Sequence, residues 1–212
     1  LTFAAVFEMD DKAKVHKEWF GRTVIHSDHR FTYEQAQEVI ESGEGKFAAE
    51  IKILNELHHV LRKERFKKGA VNFESTEVKF KLDEKGKPLA VIPKVRKDAH
   101  KLIEEFMLLA NIVVARFISE KNFPSLYRIH EEPFVDSLKA LELMAHNWGL
   151  KVRLTSGFIQ KNIMKMLGSV KGQPHEAILS ILTLRSMKQA QYNEENKGHF
   201  GLAFEHYTHF TS

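Results

Sequence analysis

The chain of 212 residues contains no cysteine, which excludes disulfides and thiolate-held metal sites and fits a reducing cytoplasm. It also lacks an apolar run of bilayer-spanning length. The longest, at 106–117, is too short, and Glu104, Glu105 and Arg116 stand at its ends. No basic-then-apolar leader opens the chain, and the absence of an initial Met points to a processed chain or a piece of a longer one. Gly43-Glu-Gly45-Lys46 has neither the spacing nor the preceding strand of a phosphate-binding loop. Internal repeats and low-complexity segments are absent as well.

What is present suits a folded domain. Hydrophobic residues make up 43% and charged residues 28%, and 16 Phe are available to fill a core, which argues against disorder. The net charge of +4 is a weak pointer to nucleic acid, because many ordinary enzymes are as basic. Arg62, Lys63, Arg65, Lys67 and Lys68 crowd one segment. Such a run is read first as a solvated helix end favoured by the helix dipole, and only second as a phosphate-contacting patch.

Periodicity divides the chain into strands at both ends and a large helical middle. Residues 1–26 read as strands around a polar turn at 10–12. Thr32 with Gln35 predicts a capping box opening a helix that stops at Gly43 and Gly45. Phe47, Ile51, Leu54, Leu57 and Leu61 then mark a long helix stopped by Gly69. Alternation at Val78, Phe80 and Leu82, a turn at 83–88 and a return at 89–95 predict a hairpin. Asp98 is expected to cap a helix to about Ile118, apolar almost all round and therefore central. Helical patterns follow near 134–147, 156–167 and 174–190, and the aromatic run 199–210 reads as strand. The order predicts an α+β fold.

Chemistry is harder to read from the residues alone. His26 with His29, and His206 with His209, are three apart, but neither pair lies in a His-Glu-x-x-His helix, so metal binding is set aside. Glu104 and Glu105 stand early in a helix that reads as buried, where a carboxylate is costly unless paired or functional. Adjacent helical residues point about 100° apart. Either one of the two faces a functional cavity, or both are solvated first-turn acids. Tyr33 and Phe73 sit where aromatic rings stack on bases or anchor loops to the core.

The tail narrows the field. Gly198-His-Phe-Gly-Leu202 followed by Tyr207-Thr-His-Phe-Thr-Ser212 resembles the first half of the signature of the ribonuclease II / ribonuclease R (RNB) exoribonuclease family. Four more blocks agree in order: Arg22-Thr-Val-Ile-His-Ser-Asp-His-Arg-Phe-Thr-Tyr33, Gly69-Ala-Val-Asn-Phe73, Leu102-Ile-Glu-Glu-Phe-Met-Leu-Leu-Ala-Asn111, and Leu126-Tyr-Arg-Ile-His-Glu-Glu-Pro133. Leu184-Arg-Ser-Met-Lys-Gln-Ala190 fits too, and these versions look closer to ribonuclease R.

The resemblance implies processive 3′-to-5′ hydrolysis of RNA to nucleoside 5′-monophosphates, with Mg²⁺ held by an aspartate cluster. That cluster is expected upstream of Leu1, and the Pro-x-Arg-Arg-Tyr-x-Asp segment carrying the catalytic Arg beyond Ser212. Residues 1–212 are thus expected to form part of the catalytic domain, inactive alone and binding no metal, in a cytoplasmic protein. By position Phe73 matches a base-stacking Phe, and Tyr33 and Glu104 match residues beside the terminal ribose of a single-stranded RNA 3′ end. Glu105 is then the structural acid. Rival expectations are a non-catalytic RNA-binding relative and a helical protein-interaction module.

Overall fold

One aspartate sets the first hairpin. Asp10 Oδ1 accepts the backbone N–H groups of Lys12 and Lys14, each at 2.9 Å, and turns β1 (Thr2–Met9) back into antiparallel β2 (Val15–Thr23). Asp83 repeats the device on Lys85 and Lys87, joining β3 (Glu77–Leu82) to β4 (Pro88–Lys94), with Gly86 at φ 79° where a side chain would be strained. The computed structural model describes residues 1–71 and 77–211, and of Glu77, Lys79, Pro93 and Lys94 the backbone alone. Phe73 lies outside the described residues.

The expected capping box opens α1 (Tyr33–Ser42): Thr32 Oγ1 accepts from the Gln35 N–H, and Gln35 Oε1 accepts from the Thr32 N–H. Helix α2 (Ala48–Lys68) ends at Gly69, φ 112°, whose N–H bonds the Arg65 and Phe66 carbonyls. Its inward line departs from the apolar stripe that its spacing predicts. Leu54 is 39% exposed, whereas Ile51, His58 and Arg65, seven apart, are buried. Arg65 can be buried there because the neighbouring helix offers it carboxylate partners.

That neighbour is α3 (Asp98–Glu120), packed on both α1 and α2. Asp98 does not cap it. Lys97 takes the cap position without a side-chain bond, and buried Gln37 reaches across from α1 so that its Oε1 accepts the Ala99 N–H at 2.9 Å. An orphan donor at the helix start is thus met by another helix. Burial is one-sided rather than all round: Leu102, Leu108, Val113 and Val114 are buried, but Ile103 is 43% exposed. The first hairpin leans on the far end of α3, with the Phe20 ring 5.0 Å from that of Phe117 and Arg116 paired to Glu18 at 2.6 Å.

A second group contains α4 (Val135–Asn147), α5 (Ile159–Ser169) and α6 (Glu176–Ser186) around Leu138, Leu141, Leu154, Ile163 and Leu179. Each such fully buried side chain contributes roughly 1.5–3 kcal/mol. Helix α5 begins later than its sequence pattern because Gly157 holds a left-handed φ of 73°, and α6 stops at Ser186 because Met187 is extended. Val71 and Phe200 join this core, fastening the end of α2 and the tail to it.

Between the groups β5 (Tyr127–Ile129) pairs with β6 (Gln191–Asn193). The tail is not the strand that its aromatic run suggests. Phe200–Leu202 form a 3₁₀ turn, Ala203 takes φ 57°, and the Phe204 N–H returns to the His199 carbonyl. A tight reversal at Ala203 prevents extension, and the aromatic rings pack on one another instead: Tyr207 lies edge-on to His199 and His209. The α+β expectation holds, with short antiparallel strand pairs and six helices among the described residues.

Candidate functional site

Two of the three residues singled out in the sequence meet at one cavity. Tyr33 opens α1 and stacks on His100 of α3, ring centroids 4.2 Å apart and planes 12° from parallel. Glu104, one helical turn beyond His100, lines the same space of about 530 Å³ with Arg96, Asn111, Tyr207 and His209. Phe73, the third, is not described.

The adjacent acids divide as helix geometry requires. Glu105 is 3% exposed and receives Arg65 Nε at 3.0 Å, a second Arg65 nitrogen, and Arg62 at 3.2 Å. Glu104 stays at the cavity, its carboxylate 3.3 Å from Arg65 and 3.6 Å from Arg96. A buried guanidinium shared between two carboxylates fixes the α2–α3 seam in one register. The basic run at 62–68 is therefore not simply a solvated helix end. Arg62 and Arg65, three apart, turn toward α3, while Lys63, Lys67 and Lys68 remain exposed.

Asn111 assembles the opposite wall. Its Oδ1 accepts the N–H groups of Phe210 (2.9 Å) and Thr211 (2.8 Å), and its Nδ2 donates to the Thr211 carbonyl and the Tyr207 hydroxyl. All four hydrogen-bonding positions of a buried amide are used. Burial of Tyr207 raises its phenol pKa above the ordinary 10.0, so the hydroxyl stays protonated at neutral pH.

A second cavity of about 900 Å³ lies along β5 and the loop after α6, lined by Arg128, Arg185 and Lys188 with His130 and His199. His130 carries the tail: its carbonyl accepts the Phe200 N–H at 2.7 Å, and its Nδ1 accepts the Gly201 N–H at 3.1 Å. A Cβ on Gly201 would stand 2.8 Å from that ring, so glycine is needed for the approach. The three cations suit a polyanion. Sequence reasoning placed their blocks and gave them no role, since only the fold brings residues from β5, the last turn of α6 and the loop after it to one wall.

Burial, and then the neighbouring His130, push the His199 pKa from 6.5 down to about 4. The unfolded chain takes up this proton near pH 6.5 and the folded chain only near 4, so stability falls as pH drops through that window. His130 and His58 shift in the same direction, chiefly by burial. The expected loss from His199 between pH 7 and pH 5 is roughly 2 kcal/mol, read from urea midpoints. A His199→Asn chain that keeps the whole pH slope would contradict this.

The RNB domain model matches residues 1–212. This chain belongs to the RNB family. Ribonuclease R 1 of Lactococcus lactis is 39% identical to the RNB chain over 219 aligned positions, covering 100% of this chain and 27% of that protein. The kinship with ribonuclease R expected from the motifs is thereby borne out. The RNB chain spans about a quarter to a third of the length of such relatives. In fold it is similar to Mycoplasma genitalium RNase R in complex with ribose methylated single-stranded RNA, with a TM-score of 0.89 at 24% identity, covering 99% of this chain and 34% of that one. The RNB fold also resembles yeast Ssd1, a pseudonuclease, with a TM-score of 0.73 at 20% identity, covering 99% of this chain and 26% of that one. Among the described residues no helix is long and apolar enough to cross a membrane.

Proposed function

We propose that this chain is the RNA-holding wall of a processive 3′-to-5′ exoribonuclease that hydrolyses RNA to nucleoside 5′-monophosphates in the cytoplasm. The observation that carries this is the meeting of Tyr33 and Glu104 at one cavity, on helices from separate sequence blocks. A phenol and a carboxylate recognise a ribose 2′-hydroxyl, which both donates and accepts. The Tyr33–His100 stack offers a ring face to a terminal base, and Phe73 is assigned a second stacking role worth roughly 1–3 kcal/mol per base. Arg128, Arg185 and Lys188 line the wall against which the phosphates of the strand run.

The hydrolytic metal is Mg²⁺, a hard cation that takes oxygen ligands and polarises phosphate. Among the described residues the only triple grouping of ligand-type side chains has two imidazoles and one carboxylate, which does not fit Mg²⁺. The work of this chain is to bind and orient RNA. The whole protein is expected to degrade a single-stranded oligoribonucleotide from its 3′ end with Mg²⁺, and the 212-residue chain alone to leave it intact. The likeness to a pseudonuclease supports a second reading, a non-catalytic RNA binder. Retention of RNA by the whole protein, without cleavage at any Mg²⁺ concentration, would select it.

Removing the Glu104 carboxylate tests the ribose assignment. Glu104→Ala in the whole protein is expected to lower the preference for RNA over DNA about tenfold, the effect of one lost hydrogen bond to a charged group. An unchanged ratio of RNA to DNA affinities would remove Glu104 from the site.

A further inference from the structure

One turn along the α2–α3 seam from the arginine pairs, another cluster remains unexplained. His58 is 0% exposed, and neither of its ring nitrogens has a hydrogen-bond partner of normal geometry. A buried imidazole left without partners is costly, and a bound ion is one way in which folded proteins satisfy such a group. The His59 ring lies beside it, centroids 4.0 Å apart. Asp98, in the first turn of α3, faces both: one ligand atom from each of the three residues lies within 4.8 Å of the others.

We propose that His58, His59 and Asp98 form a Zn²⁺ site that staples α2 to the start of α3. Two imidazoles and a carboxylate are a ligand set for zinc-like cations and not for Mg²⁺, with positions left open for water. Zinc bonds of roughly 2.0–2.2 Å place tetrahedral ligand atoms about 3.4 Å apart, so the cluster must close by about an ångström. Exposed His59 and half-exposed Asp98 are free to make that movement, whereas His58 is fixed. A neutral His58 imidazole offers the lone pair that a metal needs. The carboxylates of Asp98 and Glu105 act on the same ring and favour a cation there. Asp98 now contacts the Lys101 ammonium at 3.3 Å, and that side chain must swing aside when metal enters.

This site is independent of the RNA reading. Its test uses the whole protein, freed of metal and held in excess Mg²⁺, titrated with Co²⁺ as a spectroscopic stand-in for Zn²⁺. One equivalent of visible ligand-field absorption is expected, displaced by Zn²⁺. Loss of an outer-shell partner typically weakens a metal site about 10–100-fold, so His59→Ala and Asp98→Ala should each weaken Co²⁺ binding at least that much. Zn²⁺ should raise the melting temperature of the parent and not of these variants. Both substitutions are at accessible positions, so the test does not depend on the folding of a His58 variant. Absence of the absorption band, or equal affinity in parent and both variants, would overturn the proposal.

Discussion

Glu105→Ala is expected to cost the folded chain roughly 3–5 kcal/mol, the loss typical of leaving one partner of a buried ion pair behind. Arg65 is 8% exposed, and it would keep its charge in the α2–α3 seam with only half-exposed Glu104 to answer it. Removing Glu104 leaves Arg65 paired to Glu105, so Glu104→Ala should cost about 1 kcal/mol or less. Urea unfolding of the two variants at pH 7 reads the difference directly. Similar midpoints would show that the two acids do not divide into a structural and a cavity-facing carboxylate. The two share Arg62 and Arg65, and each single variant leaves the other carboxylate in place, so the double variant should lose more than the sum.

The second large effect is expected at Asn111. Asn111→Leu keeps the side chain's bulk and removes all four of its hydrogen bonds, two of which hold the backbone N–H groups of Phe210 and Thr211. Unpaired buried donors cost about 1–3 kcal/mol each, and because these two are only part-buried and water can answer them in part, a destabilisation of roughly 2–4 kcal/mol follows. Because Tyr207, His209 and Thr211 line the cavity shared with Tyr33 and Glu104, RNA retention should fall together with protection of the tail from proteolysis. A variant with normal stability and a protected tail would show that the wall is held by other contacts.

Local chemistry made much of this architecture legible. The Thr32–Gln35 capping box, the stop at Gly69 and both aspartate-set hairpins rest on residues that act within a few positions of themselves. What escaped depends on partners distant in the chain. Nothing near Asp98 reveals that Gln37 caps α3 in its place, and no spacing within 62–68 shows that Arg62 and Arg65 turn inward to a pair of glutamates. The tail misled because its rings suit a strand, while Ala203 reverses the chain after three residues of 3₁₀ turn. Tyr33 and Glu104 came from the family likeness and not from periodicity, which left the adjacent acids undecided. Arg128, Arg185 and Lys188 escaped because a wall drawn from two distant segments has no linear signature.

The bonds from Asn111 to Thr211 span 100 positions of sequence. At a ribosomal pace of roughly 5–20 residues per second, about 5–20 s separate the emergence of the two ends of that contact. Helices α1 to α3 can dock on one another early in that interval, because their contacts are nearer in sequence. The cavity acquires its last side only once Thr211 has been made. Until then a newborn copy has the Tyr33 and Glu104 side of the cavity without the wall that Tyr207, His209 and Thr211 complete.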